Sequence, residues 1–469
     1  MTDSGTQPAV GRFAGLKRRF EPRLAGLRGS DTAKAGGLAA AMIVNNVIAL
    51  GSTVVFARLL SGDGYGNLAA LVSYFLILSV AGQAVQVATA REGVLGHLGV
   101  GAGLIATLKR WTRTMVLFTI VMTVVSVLLR APIASAVGVK SHPWAAAIGL
   151  PAGCLWVELS ILRGALQGVG DYRGVGLSLI GEQGTRLIVG TVLAAAGLGV
   201  TGAYLGTPLS FVATGLYCMA QLRRYVKRTE TGAVPGLSSG PAFELRTHVR
   251  RAWAPIAGLI IVAVLQNIDI IAANHRFSGV KNLSSSYAAT AVAAKVLVWI
   301  AIGAGFYLVP EVSRRRAAGE DTRPVLAMAL GIILVCAVPV LLIFAFGAKP
   351  LLRAAFGADR LLAADSLLIL GVAFTVLACT YLAIQYMLAL RRTGFLVFLG
   401  LVALAEPVLL LRAPRKPEGF AAVVLGIQVV GAIVAFGLAL RRDSAPPQRQ
   451  ASAPPESPEP EVLPLPIEA

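Results

Sequence analysis

A charged pair lies at helical spacing in the middle of an apolar stretch, GVGLSLIGEQGTRLIVG. One helix face of this stretch carries its polar residues, Ser178, Glu182, Thr185 and Arg186. Glu182 and Arg186 have the i,i+4 order that favours an ion pair. A charge buried in a membrane costs about 2.5 to 3.5 kcal/mol, so two interpretations stay open. The pair neutralises itself for packing, or Arg186 acts on an anionic substrate or in a proton-coupled switch.

A second buried acidic residue, Glu158, lies near the middle of the preceding apolar stretch, without a cation three or four residues away. The connection between the two stretches, 168–173, is short enough to make them antiparallel neighbours. We therefore predict that Glu158 pairs with Arg186. Polar residues on two earlier stretches, Asn45, Gln83 and Gln86, either hydrogen-bond neighbouring helices or line a wet cavity.

The second half of the chain has its own candidate charge pair. Gln266 and Asp269 share one helix face, and Lys295 lies in the next apolar stretch at similar predicted depth. The pair is either structural, or Lys295 is a point charge that holds a phosphate. Glu406, which precedes a proline near the outer end of its stretch, is expected at the membrane interface.

The composition indicates which elements position these residues. Hydrophobic residues make up 56% of the 469 and charged residues 14%, where about 25% charged is usual in soluble domains. Mean hydropathy is +0.73. Most of the chain must face hydrocarbon, and we predict an all-α, polytopic membrane protein.

A membrane span needs about 20 apolar residues, and this criterion predicts twelve spans. They cover 36–60, 67–90, 111–130, 145–167, 174–197, 201–222, 252–274, 286–309, 324–346, 361–390, 394–412 and 419–440. They form two groups of six, 36–222 and 252–440, and a parallel repeat of the two groups would place a pathway between two lobes. A basic arm precedes them (1–35), a linker separates them (223–251), and a Pro-rich tail predicted to be disordered follows (441–469).

Basic residues between the spans set the orientation. With Arg163 counted in a loop, the side that holds both termini has 29 Lys and Arg and the other side has 11. The positive-inside rule then places both termini and the central linker in the cytoplasm. The net charge of +19 therefore reflects topology, and we expect no nucleic-acid partner.

Motif searches exclude several function classes. The four cysteines lie inside apolar stretches without metal-ligand spacing, so we expect no disulfide, metal or cofactor. The sequence has no Walker A motif and no GxSxG motif. We therefore predict that the protein is not an enzyme and does not use ATP.

Three stretches together resemble the bacterial polysaccharide-lipid (O-antigen type) flippases of the multidrug, oligosaccharidyl-lipid and polysaccharide exporter superfamily. FARLLSGDGYG matches the A-R-x-L-x-x-x-x-Y-G pattern after the first span, and an R-E pair closes the second. LRGALQGVGDYRGVGLSLIGE and the segment from QNIDII to LVPEVSR resemble two later parts of the same proteins. The two halves also share an arginine shortly before Ser-Gly, Arg58 and Arg276.

The resemblance implies two six-helix lobes around a central cavity and alternating access in the bacterial cytoplasmic membrane. The substrate would be a polyprenyl-phosphate-linked or diphosphate-linked glycan, handed to an envelope polysaccharide polymerase or glycosyltransferase. By this resemblance the phosphate-binding candidates are Arg58, Arg186, Arg276 and Lys295. Cavity or coupling candidates are Asn45, Gln83, Gln86, Glu158, Glu182, Gln266 and Asp269. Twelve spans rather than fourteen distinguish the chain from lipid II flippases. A cation-coupled multidrug antiporter and a non-transporting envelope component remain alternatives.

Overall fold

The computed structural model describes residues 31–99, 101–230 and 253–441, and these residues form helices and connecting turns without a β-strand. The predicted arm, the central linker from 231 and the tail fall outside the described residues, except at their edges. The first half comprises α1 (Asp31–Leu59), α2 (Gly64–Val94), α3 (Ala102–Leu128), α4 (Arg130–Val137), α5 (Pro143–Ala147), α6 (Gly149–Gly168), α7 (Tyr172–Leu193) and α8 (Gly199–Glu230).

The second half comprises α9 (Trp253–Arg276), α10 (Leu283–Ala294), α11 (Val296–Ala317), α12 (Arg323–Phe356), α13 (Leu367–Ala389), α14 (Phe395–Arg412) and α15 (Pro417–Ala439). Short 3₁₀ turns, Ala358–Arg360 and Ala364–Ser366, connect α12 to α13. The two halves form two helical lobes, as the sequence predicts.

Eleven helical segments of the described residues are long and apolar enough to cross a membrane. One of them, Tyr172–Arg228, has 57 residues, about 85 Å of helix at about 1.5 Å per residue. Gly197 and Gly199 interrupt it with positive φ values of 98° and 50°, and α7 and α8 fold back on each other. A Cβ on Gly206 would lie 2.8 Å from the Gly190 Cα. This segment contains two crossings, which agrees with the twelve predicted spans.

Two helices run well past their predicted spans. The helix predicted to begin at residue 111 begins at Ala102, because its basic first turns continue the helix outside the hydrocarbon. The helix predicted to end at residue 346 continues to Phe356. Gly347 bends that helix (φ −121°, ψ 16°) without ending it.

The eighth predicted span is two helices that meet at Lys295. This residue follows the last residue of α10 and precedes the first residue of α11, and its φ and ψ of −68° and −7° break the regular helix. The break places the Lys295 ammonium at the carboxyl end of α10. A cation is favoured there by the helix dipole.

Aromatic clusters form the cores of both lobes. In the first, the Phe211 ring packs 5.4 Å from Phe75 and 5.3 Å from Trp156, which joins α2, α6 and α8. In the second, the Phe420 ring packs 5.3 Å from Phe277 and 5.1 Å from Tyr287. These contacts hold rigid the helices that carry the buried charges.

Candidate functional site

A buried triad of charges lies inside the first lobe. The Glu182 carboxylate accepts from Arg186 Nη2 at 2.7 Å and lies 2.9 Å from Arg163 Nη2. Arg163 also donates from Nε to the Ser178 hydroxyl and from Nη2 to the Ser178 carbonyl, both at 2.9 Å. The predicted pairing of Glu182 with Arg186 is confirmed, and a second arginine shares the same carboxylate.

The triad has more positive than negative charge. Two guanidiniums share one carboxylate, so one positive charge is unneutralised within the cluster. Arg186 Nε and the Tyr204 hydroxyl have no hydrogen-bond partner among the described residues. Tyr204 is fully buried, whereas 20% of the Arg186 side chain is exposed. The cluster can therefore receive an anionic group or water at Arg186.

Arg163 was missed by the sequence analysis, which counted it in a loop. It lies inside α6 and is 1% exposed. The signal was present, because Arg163 falls within the predicted span 145–167. Moving it out of the loop count removes one basic residue from the side with 29, so the predicted orientation is unchanged.

The predicted Glu158–Arg186 pair is wrong. Arg186 is held by Glu182 on its own helix, and the half-buried Glu158 side chain lies beside Thr112 of α3. The short hairpin does make α6 and α7 antiparallel neighbours, yet the residue that reaches across is Arg163. Glu158 lies more than one helical turn before Arg163 and on a different face of α6, which turns it toward α3.

A second charge cluster is sealed inside the other lobe. Lys295 Nζ donates to Asp269 Oδ1 at 2.9 Å, and both side chains are almost completely buried. The Tyr287 hydroxyl lies 3.4 Å from Asp269 Oδ2, and the ammonium lies 5.2 Å from the Phe374 ring centroid. The predicted pairing of Asp269 with Lys295 is confirmed. In this conformation Lys295 is enclosed by protein.

Glu406 is not interfacial, contrary to the sequence expectation. It is fully buried, and its Oε1 accepts from the Gln428 amide at 3.2 Å. Its Oε2 has no hydrogen-bond partner among the described residues. The helix ends at Arg412, as predicted. The expectation failed because the rotation of the helix turns Glu406 toward Gln428 of α15, inside the lobe.

Arg58 and Arg276, two of the predicted phosphate-binding residues, lie at helix ends. Arg58 is in the last turn of α1 and donates to the Ala354 carbonyl oxygen in the last turn of α12. Arg276 is in the last turn of α9 and donates from Nε to the Ala413 carbonyl oxygen at 2.6 Å, just after α14. Both therefore satisfy backbone acceptors at helix carboxyl ends. They do not join Arg186 or Lys295.

Arg360, which the sequence analysis did not select, completes a seam between the lobes. It is 3% exposed and donates to the carbonyl oxygens of Leu60 and Gly62, each at 2.5 Å. Ser285 Oγ donates to the same Gly62 carbonyl at 3.0 Å and accepts from the Gly66 amide at 2.9 Å. We call these residues, with Arg58 and Ala354, the seam.

Further cross-lobe hydrogen bonds extend the contact at this end of the helices. Asn274 Nδ2 donates to Asn67 Oδ1 at 2.9 Å and to the Gly138 carbonyl at 2.8 Å. A Cβ on Gly66 would lie 2.6 Å from Ser284 Oγ, so this approach needs glycine. The lobes are held together where α1 ends and α2 begins, the side opposite the termini.

The remaining predicted cavity residues do not converge on one site. Asn45 and Gln86 are partly exposed, Gln83 is exposed, and Gln266 is half-buried beside the second-lobe cluster on α9. Asn45 donates to neighbouring Asn46 at 3.3 Å. No group of three or more His, Cys, Asp or Glu side chains within 31–99, 101–230 and 253–441 is placed to hold a metal ion.

Comparisons with known proteins place the fold. No protein-family model matches the sequence, and no curated protein matches it. Among solved structures, the lipid II flippase MurJ in an inward closed conformation superposes with a TM-score of 0.66 and 14% identity, over 86% of this chain and 87% of that chain.

Multidrug transporters of similar fold also match. An inward-facing MATE transporter of the MOP superfamily superposes with a TM-score of 0.62 and 15% identity, over 84% of this chain and 93% of that chain. MATE in the bent conformation superposes with a TM-score of 0.53 and 17% identity, over 88% of this chain and 95% of that chain. The protein therefore has the two-lobed helical fold shared by MurJ and the MATE transporters.

Proposed function

We propose that the protein is a flippase that moves a polyprenyl-phosphate-linked or diphosphate-linked glycan across the bacterial cytoplasmic membrane by alternating access. A lipid-linked glycan has a head too polar for about 30 Å of hydrocarbon and a tail that stays in it. The protein must therefore offer the head a polar, one-sided path. The fold shared with MurJ and MATE transporters supports transport as the activity.

The observation that carries the choice of substrate is the surplus positive charge of the first-lobe triad. Arg163 and Arg186 share Glu182. Arg186 has a buried Nε without a partner among the described residues, and 20% of its side chain is exposed. Guanidinium groups bind phosphate oxygens with paired hydrogen bonds. A cavity for organic cations would instead expose surplus carboxylates.

The seam supports a state open on the side of the termini. Its contacts join the lobes at the opposite end, where Arg58 and Arg360 cap helices across the interface. With cytoplasmic termini, this state would load substrate from the cytoplasm. Release would require the seam to break while the other ends of the lobes close.

A cation-coupled multidrug antiporter is the second candidate, favoured by the likeness to MATE transporters and by the second-lobe cluster. Asp269 and Glu406 are two buried carboxylates beside one ammonium, Lys295. Two carboxyl groups around one ammonium suit a transported cation or proton, because burial favours the protonated form of a carboxyl group. A third reading is an envelope-assembly component that transports nothing.

Reconstitution separates the three. Proteoliposomes would carry a fluorescent polyprenyl diphosphate glycan in both leaflets. A membrane-impermeant quencher added outside removes the fluorescence of the outer leaflet, so flipping is measured as the increase in the quenched fraction. We expect flipping that falls at least tenfold in Arg186→Gln and is unchanged in the control Arg353→Gln, an exposed arginine of α12. Ethidium transport driven by a proton or sodium gradient, without glycan flipping, would identify an antiporter. Activity in neither assay would favour the non-transporting component.

A further inference from the structure

The end of α8 presents a fixed basic face beside the turn between α6 and α7. Leu222 and Val226, one helical turn apart, are buried against the lobe, so the helix end is anchored rather than loose. Its other faces carry exposed basic residues, Arg223, Arg224, Lys227 and Arg228. These charges are therefore displayed at a defined position at the membrane edge.

A cavity of about 260 Å³ lies between this helix end and the turn. Gln221, Arg224, Tyr225 and Arg228 line it from α8, and their spacing of three, four and seven residues puts them on one helix stripe. The turn contributes Val169, Gly170 and Asp171. Gly170 has φ 80°, and a Cβ there would meet open space, so the turn leaves the cavity accessible.

The cavity is positively charged. Two guanidiniums line it, and its acidic lining residue, Asp171, accepts the Gly174 amide at 2.8 Å as the N-cap of α7. Exposed Arg173 adds a further positive charge on the first turn of α7. The arrangement attracts an anion that carries several hydrogen-bond acceptors.

The position of the cavity favours a lipid as the source of that anion. The predicted membrane span of α8 ends at residue 222. The Tyr225 ring is partly exposed just beyond that end, as tyrosines at membrane interfaces are. Basic clusters directly beside membrane helices attract anionic lipids. The volume is below the about 300 to 1,000 Å³ of drug-sized ligand sites and suits a headgroup.

We propose that this cavity binds the phosphate of an anionic phospholipid from the adjacent leaflet, with Arg224 and Arg228 as the phosphate ligands and Tyr225 at the glycerol level. The site lies outside the charge clusters of the proposed transport path. It would fix the first lobe to the membrane surface on the side of the termini.

A matched basic cluster on the same side of the membrane offers a control. Arg314 and Arg315, in the last turn of α11, pair with Glu311 at 2.7 and 2.8 Å. Glu320 Oε2 lies 4.0 Å from Arg315 Nε, so two carboxylates balance the two arginines. Neither arginine lines the cavity beside α8. Removing these two arginines changes the net charge as much as removing Arg224 and Arg228.

The experiment measures phosphatidylglycerol bound to purified full-length protein by native mass spectrometry during titration from mixed micelles. We expect Arg224→Gln with Arg228→Gln to weaken binding about 25-fold, about fivefold for each arginine. Arg314→Gln with Arg315→Gln should change it less than twofold. Arg224, Arg228 and Arg314 are exposed and the Arg315 side chain is 30% exposed. Circular dichroism and size-exclusion chromatography would show that both double variants remain folded.

Two outcomes would overturn the proposal. Equal weakening in both double variants would mean that phosphatidylglycerol responds to net charge alone. Displacement of the lipid by millimolar inorganic phosphate, with phosphate binding as tightly as the lipid, would mean that the site serves a free anion. Phosphatidylcholine, which lacks net charge, should bind at least tenfold more weakly than phosphatidylglycerol, and equal binding would also contradict the proposal.

Discussion

Arg58 and Arg360 cap each other's helices across the two lobes. Arg360 donates to the Leu60 carbonyl just after α1, the helix whose last turn carries Arg58. Arg58 donates to the Ala354 carbonyl in the last turn of α12, a few residues before Arg360. Each arginine satisfies acceptors that a helix carboxyl end leaves open. Because the two caps are reciprocal, the lobes can separate at the seam only if both helix ends lose their capping arginines.

Removing Arg360 should loosen the seam. In a protein without the four native cysteines, we expect Arg360→Ala to raise the labelling rate of Ser284→Cys by a membrane-impermeant maleimide about tenfold. One hydrogen bond from a charged donor contributes about 1.5 to 3 kcal/mol, and Arg360 makes more than one. Arg353→Ala is the control, since Arg353 is exposed in the same last turn of α12. An unchanged rate in Arg360→Ala would show that the seam is held by other contacts.

The first-lobe triad predicts which charged residues are energetically coupled. Arg163→Gln and Glu182→Gln should each destabilise the protein, because each leaves a buried charge with fewer partners, and the double variant should recover part of the loss. We expect a coupling of about 3 kcal/mol, at the lower end of the about 3 to 5 kcal/mol lost when a buried ion pair is broken. Unfolding in mixed micelles measures it.

The same set of two single variants and one double variant, made at Glu158 and Arg186, is the matched comparison. These two residues have different partners, Thr112 and Glu182, so their effects should add to within about 0.5 kcal/mol. Strong coupling between them would contradict the arrangement of α6 and α7 described above.

The Asp269–Lys295 pair predicts a different pattern for substitution and exchange. Asp269→Asn should lower stability by about 3 to 5 kcal/mol, because it leaves a buried ammonium without its carboxylate. Asp269→Asn with Lys295→Met should restore most of that loss. Thermal unfolding in detergent would rank the stabilities of the unsubstituted protein, the single variant and the double variant. A stable Asp269→Asn single variant would indicate that water reaches Lys295.

Exchange of the two charges tests whether Lys295 also touches substrate. Asp269→Lys with Lys295→Asp keeps the pair but moves the cation from the break between α10 and α11 to α9. If the pair is structural, the exchanged protein should express and retain flipping. Normal expression with loss of flipping would assign the phosphate contact to Lys295 at its original position.

The orientation in the membrane remains a prediction from loop charges. Lys281→Cys, exposed in the turn between α9 and α10, should react with an impermeant maleimide added to intact cells. Lys227→Cys, at the end of α8, should react only after permeabilisation. The reverse result would place the termini outside and exchange the faces of the seam and the phospholipid cavity.

The sequence alone determined the helical membrane fold, because apolar stretches of about 20 residues have few other solutions in water or lipid. It also determined the Glu182–Arg186 pair, which depends on the fixed geometry of one helix, and brought Asp269 and Lys295 together through the similar depth of adjacent helices. These relationships are local in the chain and need no knowledge of packing.

Tertiary structure decided the partners that depend on helix rotation and on contacts between distant segments. Glu158 and Arg163 lie on the same helix, and only its packing against α3 and α7 turns the first to Thr112 and the second to Glu182. Arg360 acts on carbonyl groups about 300 positions earlier in the chain. Hydrophobic periodicity is weak in helices that face lipid on one side and protein on the other, because both surroundings are apolar. The sequence therefore did not determine which face of each helix points into the protein, and packing against neighbouring helices fixed that rotation.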